Sequence, residues 1–286
     1  MSDSNVTFVL VEGKHDTAIL SRLLRLNNFS DFTDKKITDF PNPLKGFLEG
    51  ILNKFEYQDE ANVFQKPQLP NKICKDKDSD NFYVFYQMGG DSQFDYVINL
   101  IELLKVDDSS SEFFGEQSFD TDVKFSLQLF FDADVCFKNR KREFATKYAE
   151  LLPNFIESID VEDHQYFSNV ENIDGFSNIG IFIYGEGESG TLEDIIIPLM
   201  RDDKNEALFQ KGEDIISEFM PNEEEESCAK KKQGIKSKKG KALIGIVGQP
   251  KHQGKANQVI INDTKFITKG KLDNNDTFKE IFDFMT

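Results

Sequence analysis

The chain has 286 residues, of which 38% are hydrophobic, and a formal net charge of −17; its length allows one large domain or two smaller ones. No apolar run approaches the roughly 18 residues of a membrane span, and Met1-Ser2-Asp3-Ser4-Asn5 lacks the basic flank of a secretory signal, so a soluble cytoplasmic protein with no membrane partner is expected. The acidic balance argues against a surface coated for non-specific nucleic-acid binding, while scattered Cys74, Cys136 and Cys228 exclude a Cys-x-x-Cys zinc site or a disulfide framework and scattered His15, His164 and His252 disfavour a histidine zinc site.

The first apolar run, Val6–Val11, reads as a strand that breaks into Glu12-Gly13. Apolar Ala18, Ile19, Leu20, Leu23, Leu24 and Leu26 then mark one face of a helix, with Arg22 and Arg25 on other faces. Residues 30–80 depart from this compact pattern: a helix is expected near 43–56, followed by Pro67, Pro70 and a charged loop, which reads as an insertion. A second strand, Phe82–Tyr86, leads through Gly89-Gly90 into a helix over 92–104. As bare chemistry, Gly89 and Gly90 are turn formers or phosphate contacts.

A second polar insertion is expected at 107–122, and the strand Phe125–Phe131 then breaks into Asp132-Ala133-Asp134. Behind it, Lys138-Asn139-Arg140-Lys141-Arg142 opens a helix over 143–152, with cations that either steer a phosphodiester or balance neighbouring acids. A further strand, Ile179–Tyr184, runs into a Gly-rich turn and the helix Leu192–Met200, where Thr191 and Asp194 form a capping box. The turn lacks the Gly-x-Ser-x-Gly pattern of a nucleophile elbow around Ser189.

A helix is expected over 207–220. From Ser227 to Lys271 there follow twelve lysines and one acid, Asp263. This stretch reads as a phosphate-facing surface or as solvated loop, mobile up to Lys239, before the apolar run Ala242–Val247 and a short terminal helix with Phe278, Ile281, Phe282 and Met285. Residues 1–203 are thus expected to form an α/β domain with insertions near 30–80 and 107–122. Residues 204–286 form a helical, lysine-rich lobe packing on that domain.

Acids at the C-terminal ends of neighbouring strands would meet at one sheet edge, where α/β folds display their catalytic groups. Gathered carboxylates repel one another unless a cation compensates, and oxygen-only ligands suit Mg²⁺ or Mn²⁺. Glu12-Gly13-Lys14-His15-Asp16 followed by Asp132-Ala133-Asp134 resembles the TOPRIM domain of topoisomerases, bacterial primases and several nuclease families. The resemblance implies a Rossmann-like, mainly parallel sheet flanked by helices, and extends to the glycine turn at Gly89 and Gly90.

In the overcoming-lysogenization-defect (OLD) family of TOPRIM nucleases, a second metal cluster includes a Ser/Thr-x-Glu and an acid four residues beyond the first Glu. The matching positions are Thr191 with Glu193, and Asp16. The Val-Glu-Gly, Asp-x-Asp and Gly-x-Leu-Glu-Asp motifs also resemble an uncharacterised microbial TOPRIM-like family over nearly the whole chain. The resemblance implies a metal-dependent nuclease in which Glu12, Asp16, Asp132, Asp134, Thr191 and Glu193 hold one or two metals. Glu12 would bind metal or act as general base, Asp132 and Asp134 would be catalytic, and Lys251 would offset charge on the phosphate. Lys138 and Arg140, with the two glycines, are the expected nucleic-acid contacts. The resemblance implies an ATPase partner in phage defence as well; the chain shows no Walker A loop, so any ATP hydrolysis would come from that other protein. The contrasting expectation is a degenerate TOPRIM module that binds nucleic acid or protein without chemistry.

Overall fold

The computed structural model describes residues 5–56, 69–89, 94–105, 125–160, 167–185, 189–263 and 265–286. It is an α/β fold built on one seven-stranded sheet in the order β2-β3-β4-β1-β5-β7-β6. The strands are β1 (Val6–Val11), β2 (Phe29–Asp31), β3 (Lys72–Asp76), β4 (Phe82–Gln87), β5 (Ser126–Asp132), β6 (Phe167–Ile173) and β7 (Phe176–Tyr184). The four central strands β4, β1, β5 and β7 are parallel, and antiparallel β3 and β6 flank them. Val6–Val11 is buried at every position, as expected of a strand covered on both faces.

Alternation along the central strands divides the core. Phe8 and Leu10 of β1 face a layer made by α2 (Leu44–Glu56), α3 (Phe94–Leu104), α4 (Phe137–Tyr148) and α5 (Pro153–Ser158). Val9 and Val11 face α1 (Lys14–Leu26), α6 (Leu192–Met200), α7 (Glu206–Phe219) and α8 (Ala229–Gly248). The same layer includes α9 (Asn257–Asp263), α10 (Lys269–Asp273) and α11 (Asp276–Met285). Among the described residues, no helix is long and apolar enough to cross a membrane.

The C-terminal helices complete the core of the sheet. Phe284 of α11 packs on Phe130 of β5 and Phe182 of β7, each at 5.5 Å between ring centroids. The buried Gln128 amide donates to the carbonyls of Phe284 and Met285, both at 3.0 Å, so a polar side chain in a central strand is spent on capping α11. Arg22 on α1 donates to the carbonyls of Asn262 and Ile267, at 2.5 and 2.7 Å, which ties α1 to α9 and α10.

Several elements differ from the sequence expectations. The region set apart near 30–80 supplies β2, α2 and β3 to the sheet and its core. The stretch 107–122 lies outside the described residues. The helix expected from 143 starts at Phe137, so Lys138 to Arg142 lie within it. The lysine-rich segment expected to be mobile is the first half of the 20-residue α8. Lysine is a good helix former, and the segment's acids sit just before it, where Lys239 pairs with Glu223. An Asp174-Gly175 turn, both residues at positive φ (50° and 85°), joins the unexpected β6 to β7. That pairing of dihedrals is what a two-residue hairpin requires.

Candidate active site

β1, β5 and β7 end at the same edge, with Val11 paired to Phe130 and Asp132 paired to Tyr184. Glu12, Asp132 and the turn before α6 therefore emerge side by side. The Glu12 carboxylate accepts from the Asp132 backbone N–H at 3.3 Å, which places the first acid on the second strand's end. The Asp132 carboxylate accepts from Leu192 N–H at 2.7 Å, at the positive end of α6. Asp134 adopts φ +53° and exchanges backbone hydrogen bonds with Gly190 at 2.8 and 3.0 Å. Asp tolerates this left-handed backbone, and Gly190 at φ +137° needs the absence of a side chain.

Asp16 is buried in the first turn of α1 and accepts from Gly13 N–H at 3.0 Å. Thr191 is buried as the residue before α6, where its N–H donates to Asp194 at 2.8 Å, and so serves the helix start. Glu193 is 3% exposed and accepts from His15 Nδ1 at 2.9 Å, with Lys241 Nζ at 4.0 Å and the Ser237 hydroxyl at 3.5 Å. A Cβ on Gly240 would lie 2.9 Å from Glu193 Cβ, so α8 crosses α6 at this glycine and lays its lysines over the acids.

Electrostatics registers the convergence. Burial raises the Asp132 carboxyl well above its ordinary range, and the negative charges of Glu12, Asp16 and Glu193 raise it further. Burial, then Glu12 and Glu193, push Asp16 up to about 8. Glu12 is raised by burial and by Asp134 but held back by Arg140. Arg140 bonds to Glu12 and lies 3.7 Å from Asp134 and 3.4 Å from Glu143. Burial works against its charge, yet these acids raise its pKa above the usual arginine value.

Several expected site residues stand in other surroundings in the fold. Arg140 balances Glu12 and its neighbours instead of presenting an open phosphate contact. Lys251 lies beyond the C-terminal end of α8, which is itself about 12 Å along the helix from the Gly240 crossing at 1.5 Å per residue, and its Nζ is 4.9 Å from the Phe266 ring centre. Lys241 is the lysine of α8 that reaches Glu193, at 4.0 Å. Thr191 sits buried at the start of α6, where its backbone N–H donates to Asp194. Lys138 sits in the first turn of α4. Gly89 is at φ +71° and donates to the Glu12 carbonyl at 3.2 Å, so it closes the site's edge; Gly90 lies outside the described residues.

Among the described residues, no group of three or more His, Cys, Asp or Glu side chains stands in a ready metal-holding arrangement. The donor set nonetheless fits a hard divalent cation in its chemistry: desolvated carboxylate oxygens that repel one another. The Tyr184 hydroxyl adds to this fit, being fully buried with no hydrogen-bond partner among the described residues and surrounded by the charges of Asp16, Asp132 and Glu12.

Comparison with curated proteins finds no match. The hypothetical protein PH0156 from Pyrococcus horikoshii OT3, a crystal structure, is similar at 13% identity and a TM-score of 0.44, over 97% of this chain and 93% of that one. The family described as "Protein of unknown function (DUF3226)" matches residues 6–285, nearly the whole chain and every site element described above. The chain belongs to this DUF3226 family.

Proposed function

We propose that the protein is a metal-dependent phosphodiesterase, a nuclease acting on DNA or RNA with Mg²⁺ or Mn²⁺. The observation that carries this reading is the meeting of Glu12, Asp16, Asp132 and Glu193 at one strand edge, where Asp132 feels the charge of the other three. Paired structural acids would each bring a cation of their own. Here Arg140 serves Glu12 and Asp134, Lys241 and His15 serve Glu193, and Asp16 and Asp132 bond to backbone N–H groups.

Asp132 and Asp134 are the residues to hold the cation, with Asp16 and Glu193 forming the adjoining cluster and Glu12 left as the base. A divalent cation held there would supply positive charge to stabilise the phosphate. Glu12 takes the proton from the attacking water, aided by an environment that raises its proton affinity. The water oxygen bonds to phosphorus as the P–O bond to the ester oxygen breaks, and the leaving oxygen takes a proton from solvent. Lys241 offsets charge on the phosphate from α8. The resemblance to OLD-family nucleases extends the proposal to a cytoplasmic phage-defence effector working beside an ATPase.

A second reading, a TOPRIM-like module that binds nucleic acid or protein without chemistry, is favoured by the hold of Arg140 on Glu12. Purified protein incubated with plasmid, single-stranded DNA, tRNA and structured RNA in Mg²⁺ or Mn²⁺, beside Glu12→Ala and Asp132→Ala, separates the two. Cleavage that requires both acids supports the enzyme. Binding without cleavage on all four substrates supports the module.

A further inference from the structure

Beside the carboxylates lies a cavity of about 470 Å³, between α4 and the N-terminal end of α8. Small-molecule sites occupy roughly 300–1,000 Å³. Its inner wall is apolar and aromatic, with Val97, Phe131, Phe144 and Tyr148. Phe144 and Tyr148 stack with centroids 4.6 Å apart, and Phe131 lies 5.6 Å from Phe144. The rim is charged with both signs: Glu12, Asp134 and Glu143 alternate there with Arg140, Lys147 and Lys230.

We propose that this cavity seats one unpaired nucleobase of the substrate, with the adjoining phosphate at the mouth that opens toward the carboxylates. A nucleobase is flat and apolar on its faces and polar at its edge, which matches an aromatic wall beneath a charged mouth. This deepens the phosphodiesterase reading, on which the role given to the phosphate rests, by naming the substrate class: single strands, flaps or ends. A base inside a duplex would first have to leave its stack.

Cys136 and Cys228 line the same cavity, whereas Cys74 is buried in the sheet. The full-length protein in EDTA is labelled with N-ethylmaleimide, and each cysteine is followed by mass spectrometry. Adenosine or uridine 5′-monophosphate at saturating concentration is expected to slow Cys136 and Cys228 by at least about threefold, following the occupied fraction. Ribose 5-phosphate and inorganic phosphate are expected to leave both rates unchanged. Ala229→Trp, at the exposed rim position that opens α8, is expected to cancel the nucleotide's protection with far-UV circular dichroism unchanged. Equal slowing by inorganic phosphate, no slowing by any nucleotide, or protection that persists in Ala229→Trp overturns the proposal. Labelling needs no metal, so the two claims fail separately. Metal-dependent cleavage without nucleotide protection removes the nucleobase site and keeps the phosphodiesterase; protection without cleavage does the reverse.

Discussion

Replacing Asp16 by Asn tests whether the acids are held together at a cost to the fold. The Asp16 carboxyl rises from an ordinary 3.8 to about 8 on folding, through burial first and then Glu12 and Glu193. A raised folded pKa means that the folded state holds the proton more tightly. Its contribution to stability is full below pH 3.8 and is lost as pH rises toward 8. At pH 7 the unfolded carboxyl is ionised and the folded one protonated, a cost of about 4 kcal/mol at 1.36 kcal/mol per unit over roughly three units. Asn keeps an oxygen to accept from Gly13 N–H and does not titrate. In EDTA, urea unfolding followed by circular dichroism should show Asp16→Asn more stable than wild type at pH 7, by about 2–4 kcal/mol. The gap should fall below about 1 kcal/mol at pH 4. An Asn variant that is no more stable at pH 7, or a gap that does not shrink with acid, refutes the reasoning.

Lys241→Ala should lower cleavage at saturating metal by about tenfold or more, as loss of one charge-stabilising group does, while Lys251→Ala stays near wild type; the reverse order in initial rates would restore the sequence-based expectation. Gly180→Ala should destabilise the fold by about 1–3 kcal/mol in urea unfolding, because its Cβ would lie 2.6 Å from Phe284 Cζ, and a neutral effect would mean that α11 yields freely. Arg140→Met should cost about 3–5 kcal/mol in the same assay without metal, since it leaves the Glu12 carboxylate unpaired. A milder loss would show Glu12 already well solvated. Finally, burial pushes the Cys74 thiol up to about 12, so at pH 8 it should resist maleimide while exposed Cys228 reacts; equal rates would contradict that burial.

The central strands were legible because β1 and β5 are apolar runs that break into charged turns, and parallel neighbours covered on both faces produce that pattern. Glu12, Asp16, Asp132 and Asp134 could be named from the same turns. The edges were harder to read. β2 is three residues long and β3 sets two adjacent buried residues, Ile73 and Cys74, between charged ones, so neither carries the period-2 alternation of a strand. The Asp174-Gly175 hairpin did have a signal, in the dipeptide and its flanking Ile173 and Phe176, that was missed. At the site, motif spacing pointed to Glu193 without its partners. His15 and Lys241 come from α1 and α8, and only the close crossing at Gly240 brings Lys241 there. Thr191 illustrates the limit in the other direction: one residue satisfies both a capping pattern and a metal motif, and the backbone hydrogen bond to Asp194 serves the cap whatever side chain stands there.

The central claim is that these acids form a divalent-cation site. Titrating Mn²⁺ into wild type and Asp132→Asn at pH 8, with free Mn²⁺ read by electron paramagnetic resonance, tests it directly. The account predicts that wild type removes at least one equivalent of the free signal and that Asp132→Asn removes markedly less at the same concentrations. Identical curves for the two proteins, or none of the signal lost to wild type, would contradict it.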